Sequence, residues 1–232
     1  MNKIEKIDFR QFDISKGRVL TVTDPPYNIG FKYDTHKDKI PEQDFIQMMS
    51  HLKKPCVTIM YAEETIKYLI PALGIPDKVL SWCYNSHLPR AFRLVCFFGI
   101  KPDMKKYSIP YKNPTDKRVK KLIEQGSKGT SLKEWFIVEQ CKNVSKEHQG
   151  YANHIPEEII RIILKICEGQ FDTVFDPFCG SGTTLKVAKE MRYSYIGTDI
   201  DSKAVEISKK RLKLTDKVCK LFPSELSPKN EG

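Results

Sequence analysis

The stretch from Phe171 to Lys189 constrains the fold more than any other part of this 232-residue chain. Phe171-Asp172-Thr173-Val174-Phe175 is a short apolar run of strand type, and Asp176-Pro177-Phe178-Cys179-Gly180-Ser181-Gly182-Thr183-Thr184 is a tight loop of small residues. Leu185-Lys186-Val187-Ala188-Lys189 then opens a helical pattern. Gly180 and Gly182 allow a ligand to approach the backbone closely, and the helix start leaves N–H groups available beyond the loop. A phosphate-gripping loop carries Lys before its Ser/Thr, which Thr183-Thr184 lack, and a dinucleotide fingerprint carries a third glycine where this chain has Leu185. Nucleoside triphosphates and NAD are therefore disfavoured. Tyr193-Ser194-Tyr195-Ile196-Gly197-Thr198 reads as the next strand and ends at Asp199, a carboxylate placed where doubly wound folds hold ribose hydroxyls. The loop suits a nucleoside without a pyrophosphate.

A second device lies about 150 residues earlier. The apolar run Val19-Leu20-Thr21-Val22-Thr23 delivers Asp24-Pro25-Pro26-Tyr27, followed by Asn28. The exocyclic amine of a nucleobase is a poor nucleophile until acceptors take up its N–H bonds. Asp24 offers one acceptor and the Pro25 carbonyl, aimed by the fixed φ of proline, offers another. Tyr27 supplies a π face for a base drawn out of its duplex. Taken alone, the same four residues also read as a strand end and a Pro-Pro turn.

Apolar runs at Cys56-Val57-Thr58-Ile59-Met60-Tyr61, Val79-Leu80-Ser81-Trp82-Cys83-Tyr84 and Arg93-Leu94-Val95-Cys96-Phe97-Phe98 read as buried strands. Residues 42–52 and 63–69 read as helices between them. Pro156-Glu157-Glu158 starts a helix whose Ile159, Ile160, Ile162, Ile163 and Ile166 make an apolar surface, stopped by Gly169. The expected fold is α/β, a doubly wound, mixed but mostly parallel sheet with a small inserted region. The chain carries a formal charge of +10, and residues 101–150 hold 12 Lys/Arg against 6 Asp/Glu, interleaved with Tyr107, Tyr111, Trp135 and Phe136. Lys105-Lys106, Lys112, Lys117-Arg118 and Lys120-Lys121 suit phosphate contacts, and Asn113, Gln125, Ser127 and Thr130 are groups able to read base edges. Among Trp82, Tyr84, Asn85, Arg90 and Arg93, the aromatics are expected in the core and Asn85, Arg90 and Arg93 as nucleic-acid contacts. Gly126-Ser127-Lys128-Gly129-Thr130 reads as a loop and the tail after Leu214 as a frayed terminus. Seven cysteines without close pairs suggest neither a disulfide framework nor a zinc site, and no metal is expected. The absence of a signal-peptide pattern or a spanning apolar run leads to the expectation of a cytoplasmic protein without a membrane partner.

Asp24-Pro25-Pro26-Tyr27-Asn28 together with Phe175 to Thr184 resembles the S-adenosylmethionine-dependent DNA amino-methyltransferases, which modify adenine N6 or cytosine N4. With the catalytic motif first and the cofactor loop last, the order is similar to the family's beta class. The resemblance implies a Rossmann-like methyltransferase fold divided into a catalytic half (1–100), a target-recognition insertion (101–150) and a cofactor-binding half (151–232). It implies that Asp24, Pro25 and Tyr27 hold and stack the target base and that Pro26 shapes the turn. S-adenosylmethionine would be held by Phe175, Asp176, Pro177, Phe178, Gly180, Gly182 and Thr183, with Asp199 on the ribose hydroxyls and Asp201 as its competitor. An upstream acidic residue near the cofactor would be Asp8 or Asp13. Asn153-His154-Ile155-Pro156 departs from the His-Pro pattern usual in the family.

The expected function is site-specific DNA adenine-N6 methylation by base flipping and direct displacement, because Asp leads the catalytic motif where cytosine-N4 enzymes more often carry Ser. Cytosine-N4 methylation, RNA methylation and a noncatalytic DNA-binding subunit are the alternatives. DNA is the expected partner. The resemblance leaves open both a homodimer and an accompanying restriction endonuclease.

Overall fold

The computed structural model describes residues 2–14, 17–31, 38–85, 89–140 and 155–221, with the backbone alone at 214 and 216–221. The first part of the chain forms β1 (Lys3–Lys6), β2 (Val19–Thr23), α1 (Glu42–Ser50) and β3 (Cys56–Met60). Next come α2 (Ala62–Glu64), which continues through a π-helical stretch, Thr65–Leu69, into α3 (Ile70–Leu73), then β4 (Lys78–Cys83) and β5 (Phe92–Phe98). The middle contributes β6 (Ser108–Ile109), α4 (Lys117–Glu124), β7 (Thr130–Ser131) and β8 (Trp135–Ile137). The last part forms α5 (Glu157–Ile166), β9 (Thr173–Asp176), α6 (Thr183–Glu190), β10 (Ser194–Asp199) and α7 (Ser202–Leu221).

Eight strands make one sheet in the order β1-β10-β9-β2-β3-β5-β4-β8. Its pairs are parallel except those of β5, which runs antiparallel to β3 and β4. The strand periodicity of two sorts side chains between two cores. Val57 and Ile59 of β3, Val95 and Phe97 of β5 and Val174 of β9 enter one cluster. Their alternates Cys56, Met60, Cys96, Phe98 and Phe175 enter the other. Both faces are therefore covered, as the near-continuous apolar strands require.

Helix α5 seals the first face with Ile159, Ile160, Ile162, Ile163, Leu164 and Ile166, all buried, after the acidic first turn of Glu157 and Glu158. On the second face lie Phe45 and Met49 of α1, with Tyr68, Leu69 and Leu73. β2 leads on to β3 on one side, whereas β9 leads on to β10 on the other. The β2–β9 pair is thus the point at which successive connections diverge, where open α/β sheets take their ligands.

Two segments differ from their sequence reading. The middle segment is not wholly separate from the sheet. Trp135–Ile137 pairs parallel with β4 at the sheet edge, and Phe136 points into the first core, a strand too short for periodicity to reveal. The chain after Leu214 continues α7 as far as Leu221. No described helix is long and apolar enough to cross a membrane.

Candidate active site at the carboxyl edge of the sheet

Three adjacent strands bring a carboxylate to one edge: β2 is followed by Asp24, β9 ends at Asp176 and β10 ends at Asp199. Thr23 Oγ1 donates to Asp176 Oδ1 at 2.8 Å, tying together the two motifs that are 153 residues apart in sequence. The Phe178 N–H reaches the same oxygen at 3.2 Å. Burial pushes the Asp176 carboxyl up to about 7, against the pull of hydrogen bonds from Thr184 and Thr23. Asp199 accepts the Gly180 N–H on Oδ2 and the Asp201 N–H on Oδ1, each at 2.9 Å, so the glycine loop closes onto the end of β10. Asp201 accepts the Lys203 N–H at 2.8 Å at the start of α7, a helix-capping contact.

Between these groups lies a cavity of about 370 Å³. Its wall carries Asp24, Pro25, Pro26 and Tyr27 from the first motif and Asp176, Phe178, Gly180, Thr183 and Asp199 from the second. Three residues of the cofactor motif read from the sequence are not on that wall. Phe175 lies in the core with its ring stacked on Phe12 at 6.2 Å, and the Pro177 carbonyl accepts from Thr198 Oγ1 at 3.1 Å. Gly182 opens α6 at φ +78°, where a Cβ would come within 2.8 Å of Ser208 Oγ. Neither Asp8, which is bound by the Arg10 side chain at 2.5 Å, nor Asp13 lines the cavity, and Asp201 does not either. His154 lies outside the described residues.

Asp24 is held from two sides. The Tyr27 hydroxyl donates to Oδ1 at 2.5 Å, and Arg93 Nη1 stands 3.5 Å from Oδ2. Burial raises the Asp24 carboxyl to about 6, while Arg93 and the Tyr27 hydrogen bond pull it down. The same burial, with Asp24 beside it, lifts the Tyr27 phenol well above its ordinary value. Asn28 adopts the left-handed conformation at φ 58°, and its amide clamps Ile40, accepting the N–H at 2.8 Å and donating to the carbonyl at 3.1 Å. That clamp places Asp38 beside the motif, where Oδ2 accepts the Tyr27 N–H at 3.2 Å and Oδ1 is buried with no partner.

Sequence reasoning missed Asp38 and Tyr61, and it placed Arg93 among nucleic-acid contacts. Tyr61 meets Tyr27 edge-on at 5.1 Å, and Arg93 is 7% exposed, on the cavity wall. A lone charge at the start of an otherwise apolar strand was the available signal for Arg93. The other two of that group point elsewhere: Arg90 pairs with Glu63 and Glu64, and the Asn85 amide donates to Glu139 at 3.0 Å. No described residue of 101–150 lines the cavity. Lys112, Lys117, Arg118, Lys120 and Lys121 are exposed and, among the described residues, form no ion pair.

Four carboxylates and a single guanidinium line the cavity, alongside the apolar surfaces of Phe178 and Ile200. Such a wall repels polyphosphates and suits a cationic ligand with a nucleoside part. Fold and site define a doubly wound α/β enzyme with a nucleoside-sized site at the strand divergence. The chain belongs to the DNA methylase family, whose family model matches residues 84–210. It is 24% identical over 214 residues to the Type II methyltransferase M.HpaI of Haemophilus parainfluenzae, covering 83% of this chain and 67% of that protein. It is 26% identical over 227 residues to M.BglII of Bacillus subtilis, covering 82% and 62%. The chain thus spans roughly two thirds of the length of these curated relatives. The crystal structure of the M1.HpyAVI–SAM complex superposes with a TM-score of 0.55 at 17% identity, over 91% of this chain and 99% of that one. The PvuII DNA methyltransferase, cytosine-N4-specific, superposes at 0.61 and 13%, over 97% and 93%. At these identities the structural likeness is one of fold.

Proposed function

We propose that the protein methylates DNA at the exocyclic N6 of adenine, using S-adenosylmethionine. One observation carries this reading: Asp24-Pro25-Pro26-Tyr27 and the glycine loop, far apart in sequence, open onto a single cavity. The cofactor, when bound, supplies an electrophilic methyl group on a sulfonium. The carboxylate-rich wall suits its positive charge, and Phe178, Gly180, Thr183 and Asp199 are the residues placed to hold it, with Asp176 beside them.

Asp24 acts as the acceptor for an amine N–H, and the carbonyl of Pro25 is the second acceptor of the motif. These acceptors take up positive charge as it develops on the nitrogen, and the fixed turn aligns the base, so most of the acceleration comes from orientation and electrostatics. Tyr27 is the stacking face for the flipped base. Adenine is favoured because Asp leads the motif where the family's cytosine-N4 enzymes more often have Ser. Residues 101–150 are the proposed target-recognition part, set between a catalytic half at 1–100 and a cofactor-binding half at 151–232. A homodimer and a companion restriction endonuclease are further expectations of such an enzyme; light scattering of the purified chain tests the first.

The test is a reaction of labelled cofactor with duplex DNA and structured RNA side by side, followed by nucleoside mass spectrometry of the digest. N6-methyladenine in DNA is the expected product. N4-methylcytosine overturns the adenine assignment, and label confined to RNA overturns the substrate. Asp24→Ala is expected to abolish product while calorimetry shows cofactor binding retained; a fully active Asp24→Ala removes the role given to this carboxylate.

A further inference from the structure

Arg93 is the single cation on the cavity wall and one of the most buried charges of the described chain. Its guanidinium is boxed by three aromatic rings, with centroids at 5.4 Å for Tyr27, 5.2 Å for Tyr61 and 5.2 Å for Trp82. Cation–π attraction from three sides supports the charge and fixes its place. Its Nε has no partner, and its nearest carboxylate is Asp24, at 3.5 Å. That separation contrasts with the other arginine–aspartate pairs among the described residues. Arg10 and Arg18 grip Asp8 and Asp172 at 2.5 and 2.6 Å with two-point contacts. Such forks occupy the carboxylate oxygens. Arg93 stands too far away to take a lone pair of Asp24 Oδ2 but near enough for its charge to act through a poorly screened interior.

We propose that Arg93 is the positioning residue of the site: held off by three rings, it keeps the Asp24 carboxylate ionised while leaving Oδ2 able to accept the substrate amine. The inference rests on the function proposed above and names the group that makes Asp24 usable. The groups around the pair are consistent with it. Tyr27 donates to the other Asp24 oxygen, Tyr61 and Tyr84 flank the guanidinium, and Asp38 meets the motif through the Tyr27 N–H. Asp176 lies beyond Thr23 and adds a second carboxyl to the edge. Arg93 supplies the only positive charge on the cavity wall, and Arg90, over the Tyr61 ring at 4.8 Å, is paired with Glu63 and Glu64.

Carbon-13 titration of the Asp24 carboxyl, assigned with Asp24→Asn, tests this without relying on DNA methylation. In Arg93→Met the carboxyl is expected to titrate about one pH unit or more above wild type, and in Arg93→Lys close to wild type. The acid limb of the methyl-transfer pH profile should move by the same amount, lowering the rate at the original midpoint about fivefold, with cofactor affinity unchanged. Should Arg93→Met not fold, Arg93→Gln, a shorter side chain with a planar neutral head, gives the same reading. A carboxyl that titrates in the neutral variant as it does in wild type overturns the proposal. A wild-type protein inactive on DNA, with the carboxyl shift present, overturns the function instead.

Discussion

Asp24 and Asp176 share one buried edge, and burial lifts both above the ordinary carboxylate range, to about 6 and about 7. Asp24 must be ionised to accept an amine, so methyl transfer is expected to rise through about pH 6 and level off above it, as a pH–rate profile will show. The same shifts carry an opposite consequence for stability. A carboxylate whose pKa rises on folding binds its proton more tightly in the native state, so its contribution to stability falls as pH rises from 3.8 through about 7 for Asp176. Asp176→Asn cannot ionise and keeps a carbonyl oxygen for Thr23 and Phe178. It is expected to stabilise the ligand-free protein at pH 8 by about 1–3 kcal/mol and to lose that gain by about pH 4, measured by denaturant unfolding at the two pH values. The Tyr27 hydroxyl occupies Asp24 Oδ1 in the ligand-free site. Tyr27→Phe removes only that bond and should keep transfer within about tenfold of wild type. Tyr27→Ala also removes the stacking face and should weaken DNA binding by about 1–3 kcal/mol in a fluorescence titration.

Elements meet around the site at a glycine where a side chain would have to displace its neighbours. A Cβ on Gly197 of β10 would lie 2.4 Å from Leu185 Cδ1 of α6 and 3.1 Å from Cys179 Cβ. The missing side chain lets the glycine loop and α6 seat directly on the strand, which is how Asp199 comes to meet the Gly180 N–H. Gly197→Ala should cost about 1–3 kcal/mol by thermal unfolding and weaken cofactor affinity as well. α4 presents the contrasting case. Asp116 caps it, accepting the Arg118 and Val119 N–H groups, yet none of its side chains is buried. Among the described residues its basic side chains form no ion pair. If Lys117, Lys120 and Lys121 each meet a phosphate, replacing all three by Ala should reduce the slope of log affinity against log salt by about 3, leaving the rate at saturating DNA near wild type. An unchanged slope would take α4 away from the DNA.

At the scale of the molecule, the alternation of the apolar strands, the acidic start of α5 and the strand–loop–helix unit at 171–189 made a doubly wound sheet readable without coordinates. The two edge strands were not readable. β1 carries one apolar residue in four and β8 is only three residues long, too little for any periodicity, and they exist because neighbouring strands offer them hydrogen bonds. The candidate site divides in the same way. Asp24, Tyr27, Asp176, Gly180 and Asp199 stand in motifs with their own local chemistry, whereas Arg93, Asp38 and Tyr61 belong to no motif. Arg93 enters the site because β5 pairs antiparallel with β3, and Asp38 because Asn28 clamps Ile40. Phe175 and Gly182 stand inside a motif and still face away from the cavity, since strand alternation turns one toward Phe12 and Ser208 packs against the other. By itself the sequence determined the class of fold, the two motifs and the chemistry they can share, because propensity, patterning and loop composition act over a few neighbouring residues. Only the tertiary structure decided which side chains meet Asp24 and how deeply they are buried, because charge and desolvation act through space between strands remote in the chain.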